Sequence, residues 1–131
     1  MDQQFHDSVV SADRWSKVVA MFVAIGVFFA ARELVGDPQF SAIVAAFVGI
    51  GVRLYIPHHA SLRVPESERT PLGEHPVTGD YHHGAAGVAL AVSPFVSLLV
   101  FFFGHGFLTA VGFGALVCVL LYLLVGSVLP S

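Results

Sequence analysis

The sequence predicts an all-α integral membrane protein: a four-helix bundle made of two antiparallel helical hairpins joined by a polar loop. The 131-residue chain is 56% hydrophobic and only 11% charged, whereas soluble domains carry about 25% charged residues. Its apolar residues fall into four runs, and one long polar segment, residues 57–84, divides them into two pairs. A chain this short needs polar surface to remain in water, so lipid is the solvent that fits. We expect one membrane domain over residues 1–131.

The first predicted helix covers about residues 15–35. Its centre, residues 18–31, contains no charged side chain, and about 20 apolar residues cross the roughly 30 Å hydrocarbon layer. Trp15 suits the headgroup level at one end, and Gly36 suits a left-handed C-terminal position at the other. Ser11 or Asp13 is predicted to cap the first turn.

The second predicted helix covers about residues 38–56. Asp37 is a good N-cap, and Pro38 is tolerated at the first helical position because its missing amide hydrogen has no partner there. The connection after Gly36 is so short that the first two helices must be antiparallel neighbours. Pro57 is predicted to end the helix.

The polar loop, residues 57–84, is predicted to be a partly ordered cap on the membrane surface. Proline residues are spread through it and disfavour a continuous helix; they are Pro57, Pro65, Pro71 and Pro76. The loop is short of large apolar residues, so we expect it to have no core of its own.

The second hairpin consists of predicted helices over about residues 85–103 and 107–128. Pro94 falls near the middle of the first of these, where it removes a backbone hydrogen bond. Ser93 and Ser97 are placed to satisfy the freed groups. The turn between the helices is the segment Gly104-His105-Gly106.

The distribution of basic residues predicts the orientation. Four spans put both termini on the same side as the polar loop. That side holds most of the basic side chains: Arg14, Lys17, Arg53, Arg63 and Arg69. The other side has Arg32 alone. Because basic residues of short loops stay inside, we expect the termini and residues 57–84 to be cytoplasmic in a cell membrane. Lys17 is the single lysine of the chain, and this scarcity of lysine favours a prokaryotic source.

Small residues four apart predict how the helices pack. In lipid, helices associate through close packing of small side chains rather than through the hydrophobic effect. Three such pairs each share one helix face: Ala20 with Ala24, Ala45 with Gly49, and Gly87 with Ala91. We expect them to pack within the bundle; a dimer face is the alternative.

Histidines at both ends of the polar loop suggest a second function, metal binding. His58 and His59 follow the second predicted helix, and His82 and His83 precede the third, so both pairs lie at the same depth. Asp80 would face the same way as His82 on an extended segment. Imidazole and carboxylate groups suit a divalent metal such as zinc, nickel or iron.

Other features favour solvated loop histidines without a cofactor. Adjacent histidines point in different directions, so each pair offers one ligand. The sequence contains no His-x-x-x-His or Glu-x-x-His spacing. A haem between the second and third helices is a narrower version of the cofactor hypothesis, although haem ligands usually lie within the span. His105 lies at the opposite end of the spans and cannot join the set.

Several function classes are disfavoured by what the sequence lacks. No Ser/His/Asp or Cys/His arrangement suggests an enzyme, and the single Cys118 lies in an apolar run where the thiolate is disfavoured. No basic patch suggests nucleic acid. Ion-coupled transporters usually place an ionisable residue in mid-membrane, whereas Arg32, Glu33 and Arg53 all lie near helix ends.

The sequence therefore predicts a small multi-pass membrane protein with a non-enzymatic accessory, structural or assembly role. Its expected partners are the lipid bilayer and either a second copy or another membrane protein, with the polar loop as the contact surface. The alternatives are a metal- or cofactor-binding membrane protein that uses the loop histidines, and a small transporter that acts as an oligomer.

Overall fold

The computed structural model describes residues 6–69, 72 and 81–130. Its long helices are α1 (Asp7–Val35), α2 (Pro38–Leu62), α3 (His83–Phe102) and α4 (Phe107–Val128), and Glu66–Glu68 forms one 3₁₀ turn. Each long helix is apolar enough and long enough to cross a membrane. The predicted all-α fold of two antiparallel hairpins is therefore confirmed.

Helix α1 begins at Asp7, well before the predicted start. Its N-cap is His6, whose Nδ1 accepts a hydrogen bond of 3.1 Å from the amide of Ser8, so the predicted cap at Ser11 or Asp13 is wrong. The added turns have an apolar partner outside the span, because Val9 packs against residues of the polar segment. The sequence pattern located the apolar centre of the helix but not this packed extension.

The turn between α1 and α2 forms as its residues predict. Gly36 is left-handed, with φ of 71°, and its amide donates to the carbonyl of Arg32 at 2.8 Å. The Asp37 carboxylate accepts a hydrogen bond of 2.9 Å from the amide of Phe40. Pro38 occupies the first helical position. These contacts satisfy orphan groups at two adjacent helix ends.

Helix α2 continues through Pro57 to Leu62, so the prediction that Pro57 ends it is wrong. An internal proline costs roughly 3 kcal/mol because it removes the hydrogen bond to the carbonyl four residues earlier. Here Pro57, His58 and Ser61 are all buried, and the Ser61 hydroxyl donates to the carbonyl of His58 at 2.6 Å. Burial of this last turn offsets the local cost of the proline. The local sequence does not show this burial, because other segments of the chain provide it.

The second hairpin agrees closely with prediction. Helix α3 starts at His83, one or two residues before the predicted start, and ends at Phe102. Helix α4 has the predicted bounds. Gly104 adopts a left-handed φ of 94° in the turn between them.

The helices pack in sequence order. Helix α2 packs against both α1 and α3, and α4 packs against α3, whereas α1 touches α3 only slightly. Helices α1 and α4 therefore form the outer members of the row. Their outward surfaces carry large exposed apolar side chains, among them Phe22, Leu108 and Leu123. Lipid contact accounts for such surfaces, which soluble proteins rarely expose.

The small residues of α1 and α2 pack within the chain, as predicted. A Cβ added to Gly49 would lie 3.2 Å from the Cβ of Ala24 and 3.3 Å from the carbonyl oxygen of Ala20. Gly49 is thus part of the α1–α2 contact. The bare glycine lets the two backbones approach closely.

The two hairpins meet where α2 and α3 touch backbone to backbone. A Cβ on Gly51 would lie 2.6 Å from the carbonyl oxygen of Gly87 and would also contact the Ala91 amide nitrogen. A Cβ on Gly87 would lie 2.8 Å from the amide nitrogen of Tyr55. Neither position can carry a side chain without a shift of backbone.

Four chain segments meet at one end of the row, which we call the polar end: the start of α1, the end of α2, the start of α3 and the end of α4. The opposite, hairpin end holds the two short turns. At the polar end, Val9, Val64 and Leu72 form a small apolar cluster. The described apolar residues of the loop pack on a residue of α1 rather than forming a core of their own, because α1 supplies the apolar surface that the loop lacks.

A single arginine ties the polar segment to the end of α2. The Arg69 guanidinium donates to the carbonyl oxygens of Leu62 at 2.9 Å and Val64 at 2.8 Å. At the surface, the His6 Nε2 lies 3.4 Å from a Glu68 carboxylate oxygen. We call residues 6–14, 58–69 and 72 the polar cap.

We predict that Gly51→Ala destabilises the protein by about 1–3 kcal/mol, the usual cost of overpacking a close contact. Unfolding in mixed micelles of mild detergent and dodecyl sulfate, followed by circular dichroism, measures the change. Gly26→Ala is the matched control, because nothing lies within 4 Å of a Cβ at Gly26. Equal stability of the Gly51 variant and wild type would contradict the α2–α3 contact.

Candidate functional site

The predicted histidines lie together at the polar end, where α2 meets the start of α3. His58 is on the last turns of α2 and His82 caps α3, with their ring centroids 5.5 Å apart. His59 is exposed, and its ring centroid lies 5.7 Å from that of Tyr55. His83 is buried and stacks on Tyr81 at 4.1 Å.

His82 has a structural role that uses both of its ring nitrogens. Nδ1 accepts a hydrogen bond of 3.0 Å from the amide of Ala85, and Nε2 lies 3.0 Å from the carbonyl oxygen of Leu129. An amide only donates and a carbonyl only accepts, so these contacts require the neutral ring with its hydrogen on Nε2. The backbone amide of His82 also donates to the Tyr122 hydroxyl at 3.2 Å. His82 therefore caps α3 and joins it to the end of α4.

His58 is a buried polar group without an evident structural role. Its side chain is 2% exposed. Within the described residues, its Nε2 is the one buried side-chain nitrogen or oxygen that has no hydrogen-bond partner. Leaving such a group unpaired costs roughly 1–3 kcal/mol, so it calls for an explanation in function or in a ligand.

Gly84 makes room for the His58 ring. A Cβ added to Gly84 would overlap the imidazole at Nε2, so the ring lies directly against the backbone of the first turn of α3. Sequence reasoning did not identify Gly84, Tyr122 or Leu129 as parts of this site. Gly84 could have been noticed as a glycine that directly follows the His82-His83 pair. Tyr122 and Leu129 leave no local pattern, because their contacts with His82 connect residues 40 or more positions apart.

The predicted metal ligands are only partly brought together. His58 and His82 are adjacent, but both ring nitrogens of His82 are engaged by the protein. Asp80 lies outside the described residues. In the part of the chain that the structure describes, no three His, Cys, Asp or Glu side chains form a group that could hold a metal ion. Metal binding by this set stays a prediction.

The fold and its surfaces define a small membrane protein with four candidate spans and a polar cap at one end. No protein-family model, curated protein or solved structure matches the chain.

We predict that His82→Ala and His82→Asn separate the two roles of His82, which caps α3 and contacts Leu129 at the end of α4. Asparagine is a good N-cap, whereas loss of a cap to alanine costs about 1 kcal/mol. Amide hydrogen exchange should show loss of protection at Ala85 and Ala86 in His82→Ala and retention of most of it in His82→Asn. Both variants should loosen the end of α4 near Leu129. Equal protection at Ala85 in all three proteins would contradict the cap.

Proposed function

We propose that the chain is a non-enzymatic accessory or assembly component of a membrane, which presents the polar cap to another protein. The observation that carries the proposal is that the described part of the polar segment beyond α2, residues 63–69 and 72, is anchored to the helices. Its apolar residues pack on α1 and Arg69 binds the end of α2. A surface held in one conformation loses less entropy when a partner binds.

The exposed residues of the polar cap suit a protein partner. Both signs of charge occur on it; its exposed charged side chains include Asp7, Arg14, Arg63, Glu66 and Glu68. A mixed polar surface of this kind is common at the rims of non-obligate interfaces. Acidic residues outnumber Lys and Arg by nine to six over the whole chain, which is unfavourable for nucleic acid.

We place the polar end on the cytoplasmic side of a prokaryotic cell membrane. The support is the excess of Lys and Arg at that end over the single Arg32 at the hairpin end, together with the tendency of basic residues to remain inside. In this orientation the polar cap faces cytoplasmic proteins. Within the bilayer, a second copy or another membrane protein remains a proposed neighbour of α1 and α4.

One cysteine variant tests both the orientation and the contact surface. Ser67→Cys, in a Cys118→Ser background, places a thiol on an exposed residue of the polar cap. We expect a membrane-impermeant maleimide to label it only after cells are permeabilised. A photo-activated cross-linker attached to the same thiol should then capture a discrete protein.

His105→Cys in the same background is the matched control, because His105 is exposed in the turn at the hairpin end. It should be labelled on intact cells and should capture no cytoplasmic protein. Labelling of Ser67→Cys on intact cells would reverse the orientation. Capture from His105→Cys but not from Ser67→Cys would contradict the polar cap as the contact surface.

A second candidate function, metal binding, is favoured by one specific observation, the unpaired and buried Nε2 of His58. Neutral imidazole is a common ligand for zinc and related ions. A bound ion would stabilise the contact between the hairpins.

Metal analysis of the detergent-purified protein tests this candidate. After incubation with zinc and dialysis, we expect about one ion per chain in the wild type and at least tenfold less in His58→Ala. His105→Ala is the control and should retain the ion, since it lies at the other end of the molecule. Absence of zinc from the wild type, or equal retention by both variants, would exclude a zinc site at His58.

A further inference from the structure

Two exposed basic residues lie along the contact between α1 and α2, near the polar end. Gly49 of α2 touches α1 there, since a Cβ added to it would lie 3.2 Å from the Cβ of Ala24. Arg53 follows Gly49 by four residues, so the two share a face of α2. Lys17 precedes Ala24 by seven residues, so these two share a face of α1. We call the surface that contains Lys17 and Arg53 the α1–α2 seam.

The two basic residues also lie at similar levels along the bundle. Gly49 lies between the levels of Ala20 and Ala24, because its added Cβ would be 3.3 Å from the carbonyl oxygen of Ala20 as well. At a rise of about 1.5 Å per residue, Arg53 is about 6 Å nearer the polar end than Gly49. Lys17 is about 10 Å nearer the polar end than Ala24. The levels of Lys17 and Arg53 therefore differ by no more than about one helical turn.

This level is the edge of the hydrocarbon layer. Residues 18–31 of α1 and 38–52 of α2 contain no charged side chain, and Lys17 and Arg53 are the first charged residues at the polar end of these runs. Each run rises about 22 Å, whereas the hydrocarbon layer is roughly 30 Å thick. The long stems of Lys and Arg carry their charges over the remaining few ångströms to the headgroup level.

Neither basic residue has a carboxylate partner. The one ion pair between described residues joins His6 to Glu68 in the polar cap, and α2 contains no Asp or Glu. Asp13 lies one turn beyond Lys17 on α1 and forms no ion pair with a described residue. Two neighbouring positive charges at the edge of a low-dielectric layer repel each other, so an external anion would stabilise them.

We propose that the α1–α2 seam binds the phosphate group of an anionic phospholipid from the leaflet at the polar end, with Arg53 and Lys17 as its ligands. A guanidinium group makes paired hydrogen bonds to phosphate oxygens, and an ammonium group adds a compact positive charge. Arg14 is exposed one turn from Lys17 and adds a third positive charge. Helices α3 and α4 contain no Lys or Arg, so this charge belongs to the first hairpin alone.

The apolar surface beside the seam favours a phospholipid over a free phosphate ion. Met21 lies four residues from Lys17, on the same face of α1 and deeper in the span, and it is 54% exposed. Val18 is also exposed. The acyl chains of a lipid held at the seam would contact these side chains, whereas a free ion gains nothing from them. Large side chains also disfavour a partner helix here, because helices that associate in lipid meet at small residues.

Native mass spectrometry of the full chain in a mild detergent tests the proposal. Phosphatidylglycerol and phosphatidylcholine with identical acyl chains are titrated separately. Each basic side chain near an anionic lipid contributes about a fivefold gain in binding. We therefore expect the dissociation constant of the first phosphatidylglycerol to be lower than that of phosphatidylcholine by about tenfold or more.

Three glutamine variants decide whether the seam is the site. Lys17→Gln and Arg53→Gln should each reduce the preference for phosphatidylglycerol about fivefold, because each removes one of the two phosphate ligands. Arg63→Gln is the matched control: it removes the same charge from an exposed position of the polar cap and should keep the preference. All three replaced residues are exposed, so circular dichroism should show unchanged helix content.

Four outcomes would overturn the proposal. Equal affinity of the wild type for both lipids would mean ordinary lipid contact only. An equal loss of preference in Arg63→Gln would mean general attraction to net positive charge. Displacement of phosphatidylglycerol by a large excess of inorganic phosphate would assign the seam to a free anion. Dimers of the wild type that form without lipid and disappear in Arg53→Gln would assign it to a carboxylate of another chain.

Discussion

The backbone contact between α2 and α3 is the constraint on which the rest of the structure depends. Gly51 and Gly87 allow two helices to touch without intervening side chains, and this is where the two hairpins meet. In a bilayer, apolar surface gains little by moving from lipid to protein, so association depends on fit and close approach. This contact sets how closely the two hairpins approach each other.

The histidine site is shared by the two hairpins. With α2 and α3 in contact, the extension of α2 beyond Pro57 lies beside the first turn of α3, and His58 occupies the space above Gly84. His82, whose ring lies beside that of His58, also contacts the end of α4. Two histidines that look equivalent in sequence therefore differ in chemistry: His82 has all its ring hydrogen bonds within the protein, while the Nε2 of His58 has none.

The same packing order separates the molecule into surfaces with different roles. Because α1 and α4 are the outer helices, each buries little of its surface within the protein. Most of the surface of both helices is therefore available to contact lipid. The sequential order also leaves α2 and α4 apart, which creates an apolar groove over α3. At the polar end, the extra turns of α1 cover Val64 and Leu72, so the described apolar residues of the segment that joins the hairpins pack against α1.

The sequence by itself determined the four apolar helices, the two short turns and the gathering of histidines at one depth. These depend on local causes: hydrophobic length, the cap at Asp37, the left-handed Gly36 and the restrictions on Pro38. Only the tertiary structure decided that α2 passes through Pro57, that His6 caps α1, and that His82 is structural while the Nε2 of His58 has no hydrogen-bond partner. The early start of α1 accompanies the packing of Val9 on Val64 and Leu72. The contact of His82 with Leu129 and the position of His58 against Gly84 likewise join residues that are distant in the chain, so the nearby sequence does not show them.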